Sequence, residues 1–226
     1  MIRRFTDISL LTGVFLFFLS GCEKGEDSPD PVSDIDGNVY ETVAIGNQVW
    51  MAENLRTTRL NDGTEIKLLS KTQEWNSTAD PALSWYNNDS SLFKVPYGAL
   101  YNGFAATIEN ICPAGWHVPD SEEWRVLIDF LGGTETAGGK LKVDGLTQWH
   151  SPNTGADNSS SFSALPAGMR YFEGTFSSLS YFTAFWSASE ADNGSHYFVS
   201  LSYLDSRAAL SSKSKKQGFS IRCIRD

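Results

Sequence analysis

The stretch CPAGWHVPDSEEWRVLIDFLGG, residues 112–133, contains a complete set of helix signals. Asp120 can cap the first turn, and Glu123 stands three residues later, as a capping box requires. Apolar side chains then recur on one helical face, at Trp124, Leu127, Ile128 and Leu131. Gly132-Gly133 provides the stop signal. The sequence therefore predicts a helix from Ser121 to Leu131 with one face buried in the core.

The N-terminus has the pattern of a secretory signal. An apolar run from Leu10 to Leu19 follows two arginines and is too short to span a bilayer. It ends in Leu19-Ser20-Gly21-Cys22, which resembles the lipobox of bacterial lipoproteins. The resemblance implies that residues 1–21 are a cleaved signal peptide and that acyl chains on Cys22 anchor the protein in a membrane. The alternatives are an ordinary secretory signal or a core segment that contains a cysteine.

Residues 22–33 read as a disordered tether, because EKGEDSPDPV at residues 23–32 is polar, charged and proline-containing. The acidic stretch after Cys22 resembles the surface-export signals of Bacteroidetes lipoproteins. That resemblance implies an outer-membrane lipoprotein on the cell surface, although any solvated linker could look the same. Residues 34–226 then form one domain, which is long enough for a substantial core.

Cysteine usage predicts one disulfide bond. The chain has three cysteines, and lipidation of Cys22 would leave Cys112 and Cys223. An exported protein meets an oxidising compartment, so we expect the remaining pair to be bridged. Two buried free thiols are the alternative.

Composition narrows the class of protein. The full chain has 18 basic and 27 acidic residues, a net charge of −9, which argues against a nucleic-acid partner because phosphate binding needs clustered cations. Seven tryptophans and frequent glycine favour a β-rich, loop-rich domain. A basic run of Arg207, Lys213, Lys215 and Lys216 either faces an acidic partner or balances the domain's own carboxylates.

Shorter patterns predict the remaining elements. Two strands across Gly46-Asn47 read as a β-hairpin, residues 70–89 as a long loop with little regular structure, and residues 137–143 as a short second helix. Six short strands are expected after it, at residues 162–165, 168–172, 184–188, 196–201, 208–210 and 218–224.

Nine segments resemble, in order, the Fibrobacter succinogenes major paralogous domain family. They are DGNVY (36–40), IGNQVWMAENL (45–55), YGALYN (97–102), CPAGWHVP (112–119), EW (123–124), AGGKLK (137–142), FSALPAG (162–168), FWSASE (185–190) and GFSIRC (218–223). The resemblance covers nearly all of residues 34–226. It implies an α+β, C-type-lectin-like domain, with twisted antiparallel strands, one or two helices, long loops and joined ends. The Cys112–Cys223 pair resembles the long-range disulfide of that fold.

The residues offer little catalytic or metal-binding chemistry. Calcium-dependent lectins use Glu-Pro-Asn or Gln-Pro-Asp, and neither occurs here. His117, His150 and His196 have no metal-ligand spacing and read as packed or surface residues. We find no phosphate loop or nucleophile elbow, and we read Gly132-Gly133 and Gly138-Gly139 as helix punctuation. No cofactor is expected.

The best candidate for ligand binding is the loop WHSPNTGADN, residues 149–158. An exposed tryptophan ring beside amides and a carboxylate suits carbohydrate, and these groups would be Trp149, Asn153, Asp157 and Asn158. The alternative is a loop whose tryptophan folds back on the core. Trp75 and Trp85 also lie among polar residues, whereas Trp50, Trp116, Trp124 and Trp186 read as core.

Three functions remain open at this stage. The first is a non-enzymatic, lipid-anchored cell-envelope protein that binds a glycan or a surface protein. The second is a structural or adhesive subunit of a surface or fimbrial assembly. The third is a glycan-active enzyme, which would need two converging carboxylates.

Overall fold

The computed structural model describes residues 29–192 and 194–226. The expected signal peptide, Cys22 and residues 22–28 of the expected tether lie outside the described residues. The described chain is an α+β fold in which strands predominate over helices. None of its helices combines the length and the apolar character that a membrane crossing needs.

Two antiparallel pairs begin the described chain. Strand β1 (Val32–Ser33) pairs with β2 (Val39–Tyr40), and β3 (Thr42–Ile45) pairs with β4 (Gln48–Met51). The second pair turns at Gly46-Asn47, as the hairpin pattern predicts. Because β1 falls within the segment expected to be tether, regular structure begins before Asp34.

The long loop expected at residues 70–89 contains regular structure instead. Strand β5 (Lys67–Leu68) precedes helix α1 (Thr72–Ser77), and β6 (Ala82–Ser84) follows it. The expectation is wrong because tertiary contacts bury Trp75 on α1 and all of β6, in spite of the polar sequence around them.

One further helix and strand complete this part of the chain. Helix α2 (Ser90–Tyr97) begins where the Asp89 side chain accepts hydrogen bonds from the backbone N–H groups of Ser91 and Leu92. Strand β7 (Leu100–Asn102) follows α2. Helix α2 is not among the elements that the sequence patterns predict.

The predicted central helix is present. After β8 (Trp116–His117), helix α3 (Ser121–Phe130) has the full capping box between Asp120 and Glu123 and buries the predicted apolar face. Helix α4 (Thr134–Leu141) starts and ends earlier than expected. Gly138 and Gly139 lie inside α4 and do not punctuate it, since a side chain at either would clash with the carbonyl of Arg207 or of Gly155.

Seven strands form the C-terminal part: β9 (Ala167–Arg170), β10 (Phe176–Leu179), β11 (Phe182–Asp192), β12 (Ser195–Ser202), β13 (Ala209–Ser214), β14 (Gly218–Phe219) and β15 (Ile224–Arg225). The strand expected at residues 162–165 is reduced to one bridge between Ala164 and Lys142. The strand expected at residues 218–224 divides into β14 and β15, which belong to different sheets.

Most of the strands belong to one or the other of two sheets. Eight run in the order β13-β12-β11-β9-β14-β7-β6-β5, with β10 paired to β9, and four run in the order β3-β4-β15-β8. Most pairs are antiparallel, while β11–β9 and β5–β6 are parallel. Strand β15 lies between β4 and β8, so the last strand completes a sheet begun by the first part of the chain.

The core is unusually rich in tryptophan, and all seven indoles are buried. One apolar cluster contains Trp186 together with Cys112 and Cys223. These two cysteines form a disulfide bond, which confirms the predicted pairing. A second cluster contains Trp50 and Trp124, whose ring centroids lie 4.7 Å apart, together with Trp149. The four tryptophans predicted to be core residues are confirmed as such.

Candidate functional site

The ring of Trp149 faces inward. It is 1% exposed, and its indole Nε1 donates a hydrogen bond to the carbonyl of Ala164 at 3.0 Å. The expectation of an exposed ring at this position is therefore wrong, and the alternative, that the ring folds back on the core, is correct. Burying so large an apolar surface outweighs the polar character of the neighbouring residues.

The other three predicted binding side chains serve the loop's own structure. Asn153 is buried, and its amide donates to the carbonyls of Val143 and Gly145. Asp157 is exposed and accepts from the backbone N–H of Ser159 at 2.8 Å. The half-buried Asn158 exchanges two hydrogen bonds with Ser163. The structure therefore does not bring Trp149, Asn153, Asp157 and Asn158 together on one open surface.

A buried lysine holds the base of this loop. The Lys142 ammonium donates to the carbonyls of Thr154, Ser202 and Asp205 at 2.8 to 3.0 Å, and it lies 5.5 Å from the centre of the Trp149 ring. Burial lowers the pKa of Lys142 to about 8. Nothing in the stretch AGGKLK separates this lysine from an ordinary surface lysine, so its role could not be predicted from the sequence.

The inward turn of Trp149 leaves the next residue outside, in a surface aromatic cluster of His150, Tyr181 and Tyr203. The His150 ring stacks on Tyr181 at 4.6 Å, and Tyr203 packs edge-on against both rings at 5.6 and 5.1 Å. Tyr181 is 41% exposed. The backbone also joins the three, since His150 N–H donates to Ser180 and Tyr203 N–H to Tyr181.

Sequence reasoning missed the aromatic cluster. Tyr181 precedes β11 and Tyr203 follows β12, so 21 residues separate them in the chain. They become neighbours because β11 and β12 pair with Phe182 opposite Ser202. A β-hairpin register with that pairing is the one signal that could have revealed them.

A polar hollow is formed by residues that neighbour Tyr203 in the chain. Ser202 precedes Tyr203 in the chain, and Asp205 follows Leu204, which is itself exposed. Ser202 and Asp205 line a shallow hollow of about 140 Å³ together with Ser200 and Arg207. None of His150, Tyr181 and Tyr203 lines this hollow.

His117 occupies a separate, ionic site. Its Nδ1 lies 2.6 Å from an Asp226 oxygen, and its Nε2 lies 2.9 Å from a Glu123 oxygen. Burial by itself lowers the pKa of His117, but hydrogen bonds to Asp226 and Glu123 outweigh burial and raise it. Both ring nitrogens are engaged, so the imidazole joins the end of the described chain to the first turn of α3.

Two residues of the basic run also have acidic partners. Arg207 pairs with Glu135 and Lys215 with Glu190, which fits a basic run that balances the domain's own carboxylates. Across residues 29–192 and 194–226, no three or more His, Cys, Asp or Glu side chains are grouped so that they could hold a metal ion. The aromatic cluster is the clearest candidate site for a ligand.

Comparison with known proteins gives one result. The family model described as the Fibrobacter succinogenes major domain matches residues 43–225. No curated protein and no solved structure matches the chain. The matched residues include eight of the nine resembling segments. The ninth, DGNVY, lies just before the matched region. The chain therefore belongs to the Fibrobacter succinogenes major domain family.

Proposed function

We propose that this protein is a non-enzymatic, lipid-anchored glycan-binding module of the bacterial cell envelope. The observation that carries the proposal is the aromatic cluster of His150, Tyr181 and Tyr203 at the surface. The apolar face of a sugar ring packs on aromatic rings of this kind, and adjacent hydroxyl and carboxylate groups bind its hydroxyls. The phenolic hydroxyls of Tyr181 and Tyr203 would supply such polar contacts.

The proposed architecture is C-type-lectin-like. Three features support it: β15 pairs with β4 and so joins the first and last parts of the matched region in one sheet, Cys112–Cys223 closes a long covalent loop, and a long loop runs from residue 142 to residue 166. Binding here is proposed to be independent of calcium. The Lys142 ammonium already binds three backbone carbonyls of the region, as a bound cation would.

The proposed location follows from the sequence of the N-terminus. Acylation of Cys22 would anchor the domain in the outer membrane, with an acidic segment between the anchor and the fold. Replacing Cys22 by alanine should release the protein from membranes or leave it unprocessed. Unchanged partitioning after a carbonate wash would contradict lipidation.

A glycan array probed with the mature chain in detergent tests the binding proposal. We expect Tyr181→Ala and Tyr203→Ala each to weaken binding of any glycan found by about fivefold or more. Phe172→Ala is the matched control, because Phe172 is an exposed aromatic residue outside the cluster. EDTA should have no effect. Full binding by the double tyrosine variant would exclude the aromatic cluster as the site.

A structural or adhesive role in a surface assembly is the second candidate function. It is favoured by helix α2, which has no buried residue and exposes Leu92 and Val95. Apolar side chains exposed on one helix are typical of protein interfaces. Loss of self-association or of co-purifying subunits in Leu92→Ser/Val95→Ser, with glycan binding unchanged, would favour this function.

A further inference from the structure

A second cavity lies outside the aromatic cluster and shares none of its residues. It has a volume of about 330 Å³, within the range of small-molecule sites. Its walls are largely apolar, formed by Val95 and Pro96 of α2 and by Val143 and Leu165. Walls of this kind suit an aliphatic group, because burying its surface removes apolar area from water.

The neutral polar side chains in the lining are already hydrogen-bonded within the protein. The Asn54 amide donates to the Tyr97 carbonyl at 2.8 Å, and its oxygen accepts from Arg222 at 3.2 and 2.7 Å. The Ser163 hydroxyl accepts from Asn158 and donates to a backbone carbonyl. Asn54 and Ser163 therefore hold the walls of the cavity together and have little hydrogen-bonding capacity left for a ligand.

The Glu53 carboxylate differs from these groups, because one of its oxygens keeps an open acceptor position. Its Oε2 accepts from the Glu41 N–H at 3.0 Å. Its Oε1 lies 3.5 Å from Arg56 Nη1, which is too far for a strong hydrogen bond. The Glu53 side chain lines the cavity and is 38% exposed. A ligand in the cavity can therefore donate a hydrogen bond to Glu53.

Glu53 and Arg222 are the charged residues of the lining, and their charges balance. Arg222 is 1% exposed and packs on the rings of Phe162 and Phe185, so its guanidinium is not open to a ligand. Burial lowers the pKa of Arg222 to about 9, and the Glu53 carboxylate opposes that shift. The carboxylate is thus the one charge of the lining that a ligand can reach, and it is already shared with a buried cation.

An uncharged ligand fits this balance of charges. The Glu53 carboxylate would repel an anion, and a cation would join Arg56 and Arg222 around that one carboxylate. Either ion would also lose its water on entering the apolar walls. We propose that this cavity binds a small neutral aliphatic ligand with one hydrogen-bond donor, such as an alcohol, independently of any glycan. Glu53 would accept the hydrogen bond, and Val143 and Leu165 would cover the hydrocarbon chain.

Three probes of equal chain length test this proposal: 1-octanol, octanoate and octylammonium. The protein is the mature chain, residues 22–226, produced without acyl chains so that no detergent or lipid competes for the probes. In methyl-selective NMR at neutral pH, 1-octanol should shift the signals of Val95, Val143 and Leu165 saturably. It should bind about tenfold more tightly than either charged probe. An equal or higher affinity for either charged probe, or no saturable shift at these methyl groups, would overturn the proposal.

Variants separate the hydrogen bond from the space. Glu53→Met removes the acceptor at similar volume and should weaken 1-octanol binding about fivefold, whereas Glu53→Gln keeps an acceptor oxygen and should bind as the wild type does. Leu165→Trp fills the cavity and should abolish binding. Unchanged 1-octanol binding by Glu53→Met or by Leu165→Trp would contradict the site. If Glu53→Met fails to fold, Leu165→Trp and the three-probe comparison decide. Tyr181→Ala should bind 1-octanol normally, so failure here is distinct from failure of the glycan proposal.

Discussion

Two polar regions of this domain are each organised around a buried cation beside a tryptophan, but the cations differ. Lys142 holds the loop that contains Trp149, and Arg170 holds the segment that contains Trp75. The compact ammonium binds the carbonyls of Thr154, Ser202 and Asp205. Each cation thus replaces hydrogen bonds that the irregular backbone cannot make with itself.

Arg170 works as a planar fork. Its three nitrogens donate to the carbonyls of Gly174, Leu69 and Ser70, and the guanidinium lies 4.4 Å from the centre of the Trp75 ring. The fork can bridge adjacent residues and stack at the same time, whereas an ammonium acts as a point charge. Burial lowers the pKa of Arg170 to about 10 and that of Lys142 to about 8, so alkaline solution affects the lysine first.

The largest effect should come from a change that does not distinguish the two regions. Cys112→Ala/Cys223→Ala removes a cross-link between residues 111 positions apart, and we expect the free energy of unfolding to fall by about 4–5 kcal/mol. Urea unfolding measures the loss. Hydrogen exchange should accelerate in both regions alike, and acceleration in only one would show that the bridge stabilises them unequally.

The second-largest effect should come from Arg170→Met, which should lower the free energy of unfolding by about 3–4 kcal/mol. The substitution leaves three carbonyls without their donor and removes stacking on Trp75 and Phe176. Arg170→Lys tests the fork itself and should recover less than half of the loss. Exchange should accelerate at residues 67–84 and stay normal in the Trp149 loop. Full recovery of stability in Arg170→Lys would show that an ammonium serves as well as a planar guanidinium at this position.

Lys142→Met should destabilise the domain by about 2–3 kcal/mol, since methionine keeps most of the volume but donates no hydrogen bond. Faster exchange should be confined to residues 149–158 and to the end of β12. Binding at the aromatic cluster should weaken as well, because His150 sits on this loop. Unchanged exchange in the loop would mean that Trp149 alone holds it in place.

The smallest effect is a difference in pH dependence. The pKa of Lys142 is about 8 in the folded state, against about 10.4 in an unfolded chain. Between these values the unfolded state binds more protons, so stability rises with pH. Between pH 8 and pH 10, the free energy of unfolding of the wild type should rise by about 2 kcal/mol relative to that of Lys142→Met. Effects of other titrating groups, including His117, cancel when the two proteins are compared. Parallel curves of unfolding free energy against pH would contradict the prediction.

Local signals allowed part of this fold to be predicted. The capping box at Asp120 and Glu123, the apolar face of α3 and the turn at Gly46-Asn47 depend on residues close in sequence. The disulfide followed from counting cysteines in a chain expected to be exported. These features need no knowledge of how distant segments pack.

The rest depends on contacts that no short window contains. Trp75 and Trp149 are buried among polar residues because a buried cation beside each of them satisfies nearby carbonyls. The candidate site also depends on contacts between segments that are distant in sequence. The loop of residues 149–158 contributes His150 to the candidate site, whereas Trp149 is buried, and Tyr181 joins His150 only through the β11–β12 register.

The position of β15 also governs when this domain can fold. Its sheet needs strands from both extremes of the matched region, with Ile224 opposite both Trp50 and His117. While the ribosome still holds β15, the sheet lacks the strand that lies between β4 and β8, and Cys223 is not in place opposite Cys112. Residues 42–117 alone therefore cannot complete this sheet, and its closure waits until β15 has been made.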